Sequence, residues 1–230
     1  MTRLVCTAAA VLVLAVPGVA ACVRDSAGTA VRDEAASSST GVASPSTRVT
    51  DTPESSEPGV LETTRVPVPP NAMVCRPEQS GPTALATVAD PVAPRITVRV
   101  PDGWSSKKGT ADVGLVLSGP DDMVASVTIA ATLLDPAAAF TRYGDDVMAR
   151  FPISTLSLLP GDFCGFSGQK LMGTWARDPD ASLEYQDRIA HIWTNTANYL
   201  VAVHVEAPAG TPGFDAAASV LTDDFNVVIP

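Results

Sequence analysis

The chain has little positive charge, few aromatic rings and almost no histidine. Its 230 residues carry 15 Lys and Arg against 25 Asp and Glu, a formal net charge of −10. That sign argues against nucleic acid as a partner and against electrostatic docking on anionic lipid. The only histidines are His191 and His204. A two-His metal site would need carboxylate support from Glu184 or Glu206. If the late strands fold as a hairpin about Ala197, the two rings come near each other; the plainer alternative is two hydrogen-bonded strand histidines. Also missing are the G-x-S-x-G elbow of a hydrolase and the glycine loops that cradle phosphates. The acidic pairs Asp121-Asp122, Asp145-Asp146 and Asp223-Asp224 are sequence neighbours, which suits caps or solvated faces better than one cleft. Cys164 has no basic neighbour in sequence to activate it. No enzyme, cofactor or metal is expected.

No apolar run reaches the ~20 residues that span a bilayer. The longest, Leu4 to Val16, follows Arg3 and ends at Pro17-Gly18, the build of an export signal. Val19-Ala20-Ala21-Cys22 then looks like a lipobox, in which small residues lead into a cysteine that takes lipid and becomes the new N-terminus. On this reading residues 1–21 are removed. Cys22 holds the protein to the extracytoplasmic face of the cell membrane, with about two acyl chains giving a stable anchor. Ordinary cleavage after Ala20 or Ala21, or a retained anchor, are the alternatives. With Cys6 gone and Cys22 lipidated, Cys75 and Cys164 remain as an even pair for a disulfide in an oxidising compartment. Two separately buried thiols are the other possibility.

Residues 22–70 are rich in Ser, Thr, Pro, Ala and Gly and poor in large apolar side chains, as in SSSTGVASPSTRVTDTPESSEP. This composition predicts a disordered tether, stiffer at Val66-Pro67-Val68-Pro69-Pro70. Residues 71–230 form a single domain large enough for its own core. Alternation predicts strands at Ile96–Val100, Val113–Leu117 and Ser126–Leu133. Asp135-Pro136 opens a helix with Phe140, Tyr143, Val147 and Phe151 on one stripe, stopped by Pro152. Ser154–Leu159 and Phe163–Ala176 read as strands interrupted by glycines. Leu183–Trp193 and Tyr199–Val205 pair as a hairpin. A last helix opens at Thr211-Pro212 and places Phe214, Ala217, Ala218, Leu221 and Phe225 on one face. The expected class is α+β, a mostly antiparallel sheet flanked by helices. Trp104, Phe166, Trp175 and Trp193 are candidates to line an apolar pocket on a sheet face, with ordinary core packing as the alternative.

The lipobox, the tether, Pro101-Asp102-Gly103-Trp104, the helix Asp135–Phe151, Phe163-Cys164-Gly165-Phe166 and Gly173-Thr174-Trp175 occur in that order. Together they resemble the LpqN/LpqT lipoproteins of mycobacteria and related actinomycetes, over about 75–230 plus the signal. The resemblance implies a Mog1/PsbP-like α/β/α sandwich and a non-enzymatic envelope protein. Its expected partners are the membrane through its anchor, and an envelope lipid or glycolipid or a transporter that handles one. A surface module that binds another protein, a host protein among the candidates, is the second reading, and a hydrolase the third.

Overall fold

The computed structural model describes residues 57–178 and 181–230. The signal, Cys22 and most of the expected tether lie outside them. The described residues belong to one compact unit, Thr50–Pro230.

Among the described residues there are twelve strands and two helices. The strands are β1 (Ala72–Cys75), β2 (Thr83–Ala86), β3 (Arg95–Arg99), β4 (Ser105–Lys108), β5 (Val113–Ser118), β6 (Val124–Thr132), β7 (Ile153–Ser154), β8 (Ser157–Pro160), β9 (Ser167–Ala176), β10 (Ser182–Trp193), β11 (Asn198–Pro208) and β12 (Asn226–Ile229). The helices are α1 (Pro136–Met148) and α2 (Phe214–Leu221). Eight strands form one sheet in the order β4-β5-β6-β11-β10-β9-β7, with β8 also beside β9. Four form a second sheet, β1-β12-β3-β2. Every pairing in both sheets is antiparallel.

Alternation decides which side chains face which layer. In β11, Tyr199, Val201, Val203, Val205 and Ala207 face the second sheet. There they pack with Val127 and Ile129 of β6, Ile96 and Val98 of β3, and Val227 and Ile229 of β12. Phe214, Ala217, Ala218 and Leu221 of α2 complete this core. The opposite face of the large sheet is covered by α1. Phe140 packs on Leu171, Ile189 and Ala202, and Val147 packs on Trp175 and Tyr185. The N-cap of α1 is Asp135, whose carboxylate accepts from the Ala138 N–H at 2.8 Å.

The architecture corrects the expected α+β class. Of the described residues 45% are strand and 12% helix, so the fold is β-rich rather than a balanced α+β sandwich. One large sheet carries a helix on one side and a small second sheet on the other. Three strands of that second sheet, β1, β2 and β12, are four residues each, too short for a period to declare itself in sequence. The last helix also stops earlier than its apolar stripe suggests. The Thr222 hydroxyl donates back to the Ala218 carbonyl at 2.8 Å, and the chain turns into β12. Phe225 therefore leaves the helix and meets Phe163 edge-on, with ring centres 4.7 Å apart.

Candidate functional site

Residues 57–70 run alongside β9 and the tip of the β10–β11 hairpin, tied by main-chain contacts. The Gly168 N–H donates to the Gly59 carbonyl at 2.9 Å. The Ser167 hydroxyl accepts from the Leu61 N–H at 2.9 Å and donates to its carbonyl at 3.2 Å. Asn195 brackets Val68 in the same way, accepting from its N–H at 3.0 Å and donating to its carbonyl at 2.9 Å. A side chain on Gly168 would collide with the Gly161 carbonyl, so β8 and β9 approach this closely only with glycine here.

This strapping lines a half-open cavity of about 280 Å³. Its apolar walls are Val66, Val68, Val74, Phe166, Trp193 and Ile229, and its polar groups include Ser167, His191 and Asn195. Burial pushes the His191 pKa down, and its Nε2 lies 3.0 Å from the Leu134 carbonyl, to which it donates. The imidazole is thus neutral, so the polar part of the wall named here carries no charge.

One wall is a two-residue hairpin. Phe163 and Phe166 pair across Cys164 and Gly165, whose φ values of 51° and 80° are the left-handed pair of a type I′ turn. Cys164 is bonded to Cys75 at the end of β1, with their Cα atoms 5.6 Å apart. The bridge therefore joins the second sheet to the cavity wall.

A polar cluster lies farther along the same face, beneath the C-terminal half of α1. The register of β10 on β11 sets Asp187 opposite His204, and β6 sets Ser126 on its other side. His204 donates from Nδ1 to Asp187 at 2.5 Å and from Nε2 to Glu206 at 3.1 Å. The hydroxyl of Tyr143, on α1, donates to the second oxygen of Asp187 at 3.1 Å. Burial opposes a charge on His204, but the hydrogen bonds to Asp187 and Glu206 outweigh it, and the pKa is pushed up to about 9. The same hydrogen bond to His204 holds the Glu206 carboxyl below its ordinary range. For Tyr143, burial first and the Asp187 charge second push the phenol well above 10.

Ser126, His204 and Asp187 thus stand in a row on three adjacent strands. A Ser-His-Asp nucleophile needs a free imidazole lone pair toward the serine. Here both ring nitrogens donate to carboxylates, which makes His204 a held positive charge and leaves no base for Ser126. A groove of about 410 Å³ opens beside the cluster, between Val113, Thr128, Asp146 and Arg150.

The four aromatics singled out in sequence fall in three places. Phe166 and Trp193 share the cavity. Trp175 is buried under α1, stacked on Tyr185 at 4.2 Å and donating to the Val147 carbonyl at 3.0 Å. Trp104 packs over Gly119 at the β4–β5 edge of the core. The two histidines do not meet. His191 is opposite Leu200, four positions along the ladder from the rung of His204. Among the described residues, no group of three or more His, Cys, Asp or Glu is placed to hold a metal ion. Among them, too, no helix is long and apolar enough to cross a membrane. Sequence reasoning missed the cavity-lining residues Thr63, Thr64, Val66 and Val68, which sit in the stretch expected to be tether. The alternation of Val66 and Val68 between prolines was the available signal.

No protein-family description matches the chain, and no curated protein does. Among solved structures, the chain is similar to LpqN of Mycobacterium tuberculosis, described as involved in cell envelope biogenesis. The likeness has a TM-score of 0.50 at 17% identity and covers 64% of this chain and 91% of that one. It establishes a shared fold.

Proposed function

We propose that this protein is a non-enzymatic accessory module of the cell envelope that holds the hydrocarbon part of a lipid or glycolipid. In this reading lipid on Cys22 keeps it on the extracytoplasmic face of the membrane, within reach of a transporter or enzyme that handles the same lipid. The observation that carries the reading is the cavity of about 280 Å³ walled by Val66, Val68, Val74, Phe166, Trp193 and Ile229. Burying an alkyl chain there gains about 0.8 kcal/mol per methylene, and the polar groups Ser167 and Asn195, hydrogen-bonded to Leu61 and Val68, leave the wall uncharged. The cavity is at the small end of ligand sites, so it suits one segment of a chain rather than a whole lipid. The fold shared with an envelope-biogenesis protein is in keeping with this role. A second reading, a surface that binds another protein, is favoured by Ile153, Leu159 and Met172. These are exposed on the outer strands of the large sheet, which the second sheet does not pair with.

Native mass spectrometry of the protein purified from the cells that make it tests the first reading. A bound species of lipid mass, lost on denaturation, is the expected result. A bare polypeptide mass from membrane-rich cells rejects it.

A further inference from the structure

Beside the cavity stands an unusual pair of side chains. Leu133 is 102% exposed and Leu134 is 42% exposed, on the short loop between β6 and the N-cap of α1. Neither packs in a core cluster. The Leu134 carbonyl accepts from His191, a cavity residue. Thr132, just before the loop, is opposite Asn198, which in turn is opposite the cavity residue Trp193. The third exposed apolar group here is Val66, 64% exposed and itself part of the cavity wall. Leu133 and Leu134 project beside the cavity residue His191, and Val66 projects from the cavity wall, an apolar lip of three exposed side chains.

Charge sets this end apart. The chain bears a net charge of −10, yet residues 66–75, 123–134 and 192–203 contain no ionisable side chain apart from the bridged Cys75 and the phenol of Tyr199. Arg65 and Asp135 stand at the borders of the lip, one of each sign, and Asp90 and Asp112 lie beyond Tyr199 and Ala131 on the opposite face of the sheet. A patch that is apolar, projecting and uncharged on an acidic protein is matched to a surface without strong charge. Arg65 and Asp135 at its borders offset each other, so no net charge there draws an anionic or polybasic partner.

We propose that this end of the molecule docks on a lipid bilayer, with Leu133 and Leu134 inserted among the acyl chains and the cavity mouth facing the membrane. The commitment is to a bilayer of low surface charge, held by apolar burial and not by electrostatic attraction. The purpose of the docking rests on the lipid-binding reading above: a chain drawn from the bilayer passes from hydrocarbon to cavity without crossing water. The half-buried indole of Trp193 sits at the mouth, where an aromatic ring with a polar edge suits an interface.

The test uses the unit 50–230, which holds both sheets, the disulfide and the complete described core, without the lipid-bearing cysteine. It is floated with vesicles of phosphatidylcholine alone, and with vesicles to which phosphatidylglycerol is added. Binding to phosphatidylcholine, not strengthened by the anionic lipid, is expected. Leu133→Ser and Leu134→Ser are each expected to weaken partitioning about tenfold or more, with the melting temperature unchanged. Val68→Trp, which fills the cavity, is expected to abolish binding of palmitate while flotation persists. That variant separates the two ideas. Flotation with no palmitate uptake by the unaltered protein would reject the cavity reading and leave the lip standing. No flotation of the unaltered protein, equal flotation of the double leucine variant, or flotation only with phosphatidylglycerol would overturn the docking proposal.

Discussion

His204 is the centre of the polar cluster beneath α1. It joins Asp187 and Glu206 on the sheet, and Asp187 in turn takes the Tyr143 hydroxyl from α1. Its folded pKa of about 9 stands above the unfolded value of ~6.5. A raised folded pKa means stability that is fully present below pH ~6.5 and lost as pH rises through about 9. At 1.36 kcal/mol per unit the upper size of this contribution is about 3 kcal/mol. Chemical denaturation from pH 6 to pH 10 is expected to show a midpoint that falls across this window. His204→Gln is expected to be less stable at pH 6 and nearly flat with pH. A wild-type curve as flat as the variant's would show that the imidazole is not held charged. This cluster was hidden in the sequence by a small error of register. A hairpin centred about Ala197 sets His204 near His191. The real turn spans Thr194 to Ala197, closed by the Thr194 N–H on the Ala197 carbonyl at 2.9 Å, with Asn195 left-handed at φ 70°. That shift moves Asp187 opposite His204 and carries His191 away.

Among the elements, those with a long period were legible and those without one were not. The strands around Ile96, Val127 and Ile189 and the helix opened by Asp135-Pro136 follow from alternation and capping. The glycines of β9 were misleading, because Gly168 and Gly173 do not interrupt the strand. A side chain at Gly173 would strike the Thr155 carbonyl, so the glycines mark where neighbouring backbone crosses closely. The second sheet was illegible because β1, β2 and β12 are stabilised by pairing and by the core they share, not by local preference. The Cys75–Cys164 bridge holds β1 to the hairpin Phe163–Phe166, and its sequence separation of 89 residues corresponds to a loop-closure contribution of up to about 4 to 5 kcal/mol. Reduction is therefore expected to lower the melting temperature. Hydrogen exchange should rise first in Ala72–Cys75 and Asn226–Ile229 while β10 and β11 stay protected. Unchanged protection of β1 after reduction would mean that the bridge is not what keeps that strand in place.

At one end of the β-rich unit lie a half-open cavity with apolar and neutral polar walls and the exposed side chains of Leu133 and Leu134. Of the four aromatics offered by the sequence for a pocket, Phe166 and Trp193 line the cavity and Trp104 and Trp175 do not, while Cys75 and Cys164 are bonded to each other. The sequence could not show that Val66 and Val68, in a Pro-rich stretch of tether composition, line the cavity. They do so through Asn195, whose side chain brackets Val68 from 127 residues away. Composition reports whether a stretch can fold by itself, and this one is held by the surface it lies on. Titrating the unit 50–230 with palmitate and following backbone and indole NMR signals is the most direct test of the cavity as a lipid site. Saturable shifts confined to Val68, Phe166, Ser167, Trp193 and Asn195 are predicted, with the signals of Trp104 and Trp175 unmoved. Shifts absent from these residues, or centred on the groove beside His204, would contradict the account.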